Sequence, residues 1–404
     1  MNRLAAFLTI LPALSAAAAS GQRVQYTVTD LGVLSGWMSS YATGINNSGH
    51  VVGYCQGGSN EPINGAAAFL YSAGTMYNLG GLAPGSDANT AFGINNGGQV
   101  VGSAGYAGPM GLGGATAFLY SGGAMQSLGL LPGYPPGGYS GLGAVTSTTA
   151  AGINDGGQIV GNAFVATGGL ADYPPPPPAH AFLYSGGVMQ DLGTLPGGSF
   201  SEAYGINQSG QVVGGADNSS GYEHAFLWSN GTMQDLGTLS GGPNGVATAI
   251  NNAGQVAGYA DNSSGWAQAF LYSNGTMQGL GTLPGSVKSE AWAINQSGQI
   301  VGETDSSPYS VYHAFIYTGG RMIDLNSLIA PSAGWTLESA TGINDLGQIV
   351  GDGVNPSGQT DAFLLTPTPE PSTLCLSIIC GPLLLAFHLC CRGRSNEFPG
   401  GARG

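Results

Sequence analysis

The chain repeats itself. A Gly/Ala-Ile-Asn-x-x-Gly-x-Val/Ile-Val/Ala-Gly motif places its asparagine at Asn46, Asn95, Asn154, Asn207, Asn251, Asn295 and Asn344, at spacings of 44 to 59 residues. A second motif, Ala-Phe-Leu/Ile-Tyr/Trp/Leu, recurs seven times between Phe69 and Phe363. A third, Met-x-x-Leu, recurs six times between Met76 and Met322. A period in this range means that each copy is one supersecondary unit, which buries its apolar face only by stacking on its neighbours.

The unit from Ser201 to Leu239 shows what each piece becomes. Glu202–Asn207 has the length of a strand, and Asn207-Gln-Ser-Gly210 carries the residues of a tight turn. Gln211–Ala216 is a second strand, Asp217–Gly221 a loop and His224–Ser229 a third strand. Asn230-Gly231 is the dipeptide favoured in two-residue hairpins, and Thr232–Leu236 is the fourth strand. The third strand is apolar on both faces, Ala225 and Leu227 on one and Phe226 and Trp228 on the other. A sheet with one wet face would alternate apolar and polar residues, so both faces must be covered. Four-stranded sheets stacked face to face are the arrangement of a β-propeller. The frequent glycines of the second strand are expected to let neighbouring sheets approach closely.

The ends of the repeat array argue for a ring. The last unit stops after its third strand, at Ala362-Phe-Leu-Leu365, while Asp30-Leu31-Gly32-x-Leu34 near the start matches the fourth-strand segment Asp235-Leu236-Gly237-x-Leu239. The expectation is therefore an all-β, seven-bladed propeller over residues 21–366, closed by the N-terminal strand joining the last blade. An open β-solenoid is the competing architecture, but it would not need the displaced strand and would show polar capping repeats. Two Gly/Pro-rich insertions, Tyr134–Thr149 and Ala163–Ala179, flank the unit of Asn154.

Charge excludes one class of partner. Only 7% of residues are charged, and between Gly21 and Thr366 the basic residues are Arg23, Lys288 and Arg321 against 19 acidic ones. Gripping nucleic-acid phosphates takes clustered Lys or Arg, so no nucleic-acid partner is expected.

The two ends read as addresses. Residues 1–20 carry Arg3, an apolar stretch and small residues at Ala16–Ala19, the layout of a secretory signal peptide. Residues 374–391 form an apolar run without Asp, Glu, Lys or Arg, long enough for a transmembrane helix, and Arg392 and Arg394 follow as a basic stop. Four of the five cysteines lie in that run, so the body, with Cys55 alone, has no disulfide framework. Cys55 is read as a small buried hydrophobe.

Pro369-Glu370-Pro371, the apolar run and the Arg-containing tail together resemble the PEP-CTERM sorting signal of Gram-negative bacteria. That resemblance makes 367–404 a sorting segment and implies an exosortase-type sorting enzyme as partner, with removal of the tail during surface export. His-Ala-Phe at 180–182, 224–226 and 313–315, with Asp-Leu-Gly-x-Leu and the asparagine motif, resembles the extracellular HAF-repeat family over nearly all of residues 24–365. This second resemblance implies export and repeat architecture and no known reaction.

No catalytic set stands out. His180, His224 and His313 share one repeat position, which suits strand packing or a repeated hydrogen bond, since a catalytic site needs unlike groups at one point. The loops Asp217–Gly221 and Asp261–Gly265 offer oxygen ligands for calcium, but each has one carboxylate and no distal Glu, and side-chain-capped turns account for them. No cofactor or metal is assigned. The leading expectation is an exported, non-enzymatic cell-surface or matrix protein serving adhesion or association with glycan or exopolysaccharide. The alternative is a secreted polysaccharide-active propeller hydrolase or lyase. It would need non-repeated carboxylates with His, Tyr or Arg at one mouth, Arg321 being a weak candidate.

Overall fold

The structure, a computed structural model, describes residues 25–57, 65–82, 88–106, 114–132, 145–166, 179–306 and 311–368. The chain divides into two compact units, Tyr26–Thr366 and a terminal unit of Met1–Gln25 with Pro367–Gly404. In the terminal unit, Thr368 donates from its backbone N and its Oγ1 to the Gln25 carbonyl, at 2.9 and 3.0 Å. The expected signal peptide, Pro369-Glu370-Pro371, the apolar run 374–391, Arg392 and Arg394 lie outside the described residues. Among those described, no helix is long and apolar enough to cross a membrane.

The body is all-β. In the unit dissected above, the strands are Ser201–Ile206, Val212–Asp217, Glu223–Ser229 and Thr232–Gly237, all antiparallel to their neighbours. The hairpin at Asn230-Gly231 has positive φ at both positions (51° and 83°), as its twist requires. Among the described residues the strands form five such four-stranded sheets and one of eight strands. The eight-stranded sheet is two antiparallel sets, Ser39–Asn78 and Ala88–Ser127, joined by the single parallel pair Ala66 and Ala88. Repeated four-stranded antiparallel sheets of this kind are the β-propeller arrangement.

The core lies between sheets. Val213 and Ala225 of one sheet pack with Val256 and Phe270 of the next. The seven repeat phenylalanines, from Phe69 to Phe363, are fully buried. The first strand of each set packs on the first strand of the next, and Thr336–Ile343 packs on Ser39–Ile45, so the array has no free end. The displaced strand, Tyr26–Asp30, is the outer strand beside Thr360–Pro367. Leu31 N donates to Ala362 O at 3.0 Å, the bond that Leu192 makes to Ala181 in a continuous unit.

Two expectations need correction. The second-strand glycine does not serve the contact between sheets. A Cβ on Gly214 would strike the Glu202 carbonyl oxygen and the Phe226 ring, both of its own sheet, and the other six copies meet the equivalent carbonyl. The glycine that faces a neighbouring sheet is on the first strand, where a Cβ on Gly152 would come within 2.9 Å of the Tyr204 carbonyl oxygen. The insertions are also shorter than the composition suggests. Val145–Ile153 and Ile159–Ala166 are paired strands from Val145 and Ala166 inward, so the residues of both insertions nearest the motif extend the sheet.

Candidate functional site

The seven motif asparagines bolt the first strands together at one end of the axis. Each is nearly fully buried and accepts bonds at Oδ1 from its own turn; Asn207 Oδ1 takes Ser209 N at 3.1 Å and Gln211 N at 3.0 Å. Each donates from Nδ2 to the backbone carbonyl of the next: 46 to 95, 95 to 154, 154 to 207, 207 to 251, 251 to 295, 295 to 344, and 344 back to 46. The following residues make a second closed circuit, in which the backbone N of Asn47 reaches Asn96 Oδ1 and, at the far end, that of Asp345 reaches Asn47 Oδ1. These asparagines are structural fasteners.

Every first strand carries a β-bulge three residues before its asparagine. In the first set Ala42 pairs with Gly53 and Gly44 with Val52, which leaves Thr43 as the extra residue. The same shift occurs in the other six sets. A bulge re-aims the side chain of its extra residue. Here the seven re-aimed residues are Thr43, Phe92, Ala151, Tyr204, Thr248, Trp292 and Thr341, and all of them line one cavity of about 320 Å³, together with Val246 and Tyr259. That volume is at the lower end of small-molecule sites. The Tyr259 and Trp292 rings meet edge to face, with centroids 5.7 Å apart. Thr43, Thr248 and Thr341 donate instead to the carbonyl of the alanine in the next sheet, at 2.7–2.8 Å.

Val246 sits two residues before Thr248 and faces the same cavity, as does its cross-strand partner Tyr259. The equivalent cross-strand pairs are Tyr41 with Tyr54, Thr90 with Ser103, Thr149 with Asn162, Glu202 with Gly215, Glu290 with Glu303 and Ser339 with Asp352. An additional bulge between Leu337 and Ser339 adds Glu338. Glu223 lays its carboxylate where a Cβ on Gly215 would stand. This tier, like the bulge position, differs from repeat to repeat, and it sits toward the mouth opposite the asparagine rings.

The tier is electrostatically one-sided. Tyr204 donates to Glu202 Oε2, and Asn162 Nδ2 donates to Glu202 Oε1 at 2.9 Å. Burial, then the charges of Glu303 and Glu338, push the Asp352 carboxyl up to about 7. Burial, then Glu303, also raises Glu290 and Glu338. Burial, then Glu290, Glu223 and Glu202, push the Tyr259 hydroxyl up to about 12. Lys288, the basic residue nearest this tier among those described, is held by Asp305 at 3.1 Å. No cluster of three or more His, Cys, Asp or Glu arranged to hold a metal occurs among the described residues.

The remaining sequence candidates lie away from the axis. His180, His224 and His313 each bond through Nδ1 to the fourth-strand Asp191, Asp235 and Asp324, at 2.8, 2.9 and 2.9 Å. Where the histidine slot holds Ala67, Thr116 or Gln268, the partner slot holds Asn78, Ser127 or Gly279, and in the closing unit Asp361 takes the slot near Asp30, so every histidine of the slot has an aspartate but not every aspartate a histidine. Cys55 is fully buried, takes a bond from Leu34 N at 3.4 Å and has its thiol pushed up to about 11 by burial. Asp217 Oδ1 caps Ser199 N and Phe200 N, which accounts for its loop. Arg321 is exposed on an outer strand, Arg321–Asp324, and does not reach the axis.

Sequence reasoning missed the cavity wall. The signal available was a slot that changes chemistry from unit to unit between two recurrent pieces, the alanine and the Gly/Ala-Ile-Asn motif.

No protein-family model matches the chain, and no curated protein matches it. Among solved structures it is similar to a gluconolactonase of Xanthomonas campestris (10% identity, 85% of this chain and 90% of that one, TM-score 0.37). It is also similar to the β-propeller domain of the Trilobed protease of Pyrococcus furiosus (9%, 71% and 98%, TM-score 0.36). A puromycin-hydrolysing peptidase of Mycobacterium tuberculosis is a third (13%, 80% and 50%, TM-score 0.47). These likenesses transfer no residue and no reaction.

Proposed function

We propose that the chain is an exported, seven-bladed propeller of HAF-repeat type that binds carbohydrate at one mouth of its axial cavity, and so associates with surface glycan or exopolysaccharide. The observation that carries this reading is the set of unlike side chains on otherwise identical strands. Phe92, Tyr204, Tyr259 and Trp292 give the cavity an aromatic lining. Thr90, Ser103, Thr149 and Asn162 offer neutral hydrogen-bonding groups at the tier above, and Glu202 and Glu290 accept. Sites for small polar ligands combine an apolar wall with a few convergent polar groups in this way. The signal-like N-terminus and the PEP-CTERM-like C-terminus supply the export and sorting parts of the proposal, with an exosortase-type enzyme as processing partner.

The test is calorimetric titration of the full chain, kept soluble in a non-glycosidic detergent, against a panel of neutral, acidic and amino oligosaccharides. Binding that Tyr204→Ala weakens supports the reading. Binding to no saccharide overturns it.

One observation favours the alternative, a polysaccharide hydrolase. Glu290 and Glu303 stand directly opposite each other, and Asp352 is poised near neutrality. Glycoside cleavage uses two carboxyl groups, one of them protonated. Release of reducing ends from any panel member, abolished by Glu303→Gln, would move the protein into that class.

A further inference from the structure

We infer that the mouth selects a saccharide carrying a protonated amine, a deacetylated amino sugar, over its neutral or acetylated counterpart. This rests on the carbohydrate reading and adds the charge of the ligand.

The cavity supplies the first observation. Tyr259 and Trp292 form an edge-to-face corner in its wall, and Phe92 and Tyr204 complete an aromatic lining. An aromatic face attracts a cation placed over it, most strongly when the pair is shielded from water. This wall serves stacking and ammonium contact alike.

The distribution of charge at the tier above decides between them. Glu202, Glu290, Glu303, Glu338 and Asp352 belong to three of the sheets, and Tyr204 links Glu202 directly to the cavity. The facing pairs Thr90 with Ser103 and Thr149 with Asn162 are neutral. Among the described residues one cation reaches these acids: Lys288 is tied to Asp305, lines a small cavity with Glu290 and Glu303 and partly offsets Glu290, so one positive charge stands against five carboxyl groups, while Arg321 is on the outer strand. Their mutual repulsion shows in Glu290 and Glu338, both raised by burial and then by Glu303.

An ammonium group at this mouth relieves that repulsion and gains the ring faces. A carboxylated sugar adds to the repulsion. A neutral sugar leaves it unchanged. The neutral wall gives the hydroxyls of the same ring their partners, so the ligand is oriented with its amine toward Glu290 and Glu303. No covalent step is involved.

The experiment compares a glucosamine oligomer with the N-acetylglucosamine oligomer of equal length, and with spermidine as a free polyamine, on the full chain near neutral pH. The glucosamine oligomer is expected to bind at least about ten-fold tighter than the acetylated one, an increment within the range of a single desolvated charge contact. The paired variant is Glu303→Gln, which keeps the shape and removes the charge, with a thermal melt to establish that it folds. It is expected to bind both oligomers with similar affinity. Equal affinity of the two oligomers for the unaltered chain overturns the inference and leaves the carbohydrate reading in place. Failure of every saccharide, with or without binding of spermidine, overturns both.

Discussion

Asn344 donates a hydrogen bond from Nδ2 to the backbone carbonyl of Asn46, 3.0 Å away and 298 residues distant in sequence. It is the same bond that Asn207 gives to Asn251 across 44 residues. The two asparagines are therefore interchangeable parts of one circuit.

From this equivalence, Asn344→Ala and Asn207→Ala should cost the same. Each leaves two turn amides without partners and takes one of two donors from the next asparagine's carbonyl, which keeps its turn glycine amide, a loss of roughly 3 kcal/mol at the usual cost of unsatisfied polar groups. Denaturant unfolding of the two variants measures it. An Asn344→Ala variant as stable as the parent, beside a weakened Asn207→Ala, would mean an open array.

Glycine positions separate into two kinds with different costs. Gly231→Ala at the hairpin meets nothing within 4 Å but holds φ at 83°, and should cost about 1–2 kcal/mol. Gly214→Ala drives a Cβ into the Glu202 carbonyl and the Phe226 ring, neither of which can retreat from a packed sheet. Its cost should be about 3 kcal/mol or more. Thermal melts in which Gly231→Ala proves the worse of the two would contradict the close approach of Gly214 to the Glu202 carbonyl.

The repeat was legible because identical side chains serve identical joints. The Asn46 series, the buried phenylalanines and the displaced strand at Tyr26–Asp30 each mark a fixed piece of geometry, and a regular spacing exposes them. The cavity wall was not legible for the opposite reason. Thr43, Phe92, Ala151 and their counterparts differ from unit to unit, and nothing in the sequence marks them as bulge residues. The convergence of Glu303, Glu338 and Asp352 depends on sheets that meet only through the fold. The His-Ala-Phe motif was legible as a repeated bond, but its partner, the aspartate of Asp-Leu-Gly, emerged only with the register.

Asp352 gives the stability a pH dependence of defined sign. Its carboxyl, facing Glu303, Glu338, Tyr41 and Tyr54, is raised to about 7, so the folded state holds a proton that the unfolded chain releases near 4. The group is neutral and harmless below about pH 4. It destabilises the fold progressively as pH rises toward 7, and fully above that. Asp352→Asn removes the penalty, and should gain about 2 kcal/mol on the parent between acid and mildly alkaline pH, allowing for solvent screening. Unfolding midpoints across pH check it. A constant offset between the two proteins would contradict the assignment.

His180 shifts in the same direction. Its bond to Asp191 raises the imidazole against the opposing effect of burial, with Asp191's charge, the Ser199 backbone and Asp217 adding to the rise. The pair stabilises the fold below the ordinary histidine range and loses that contribution as pH climbs through the raised value. With His180 and Asp191 side chains 26% and 43% exposed, the gain is under about 1 kcal/mol. Ring-proton titration should place His180 above its ordinary value, and Asp191→Asn should bring it down. The same midpoint in both proteins would rule the pairing out in solution.

Trp292 is placed to report on the proposed entry of ligand at the axial mouth. Trp292 lines the cavity, whereas Trp37, Trp228, Trp266 and Trp335 are not part of its lining. Tryptophan emission of the full chain, titrated with the oligosaccharide that binds best, should change with saturation in the parent and stay flat in Trp292→Phe. An undiminished change in Trp292→Phe would place the ligand elsewhere and contradict the account.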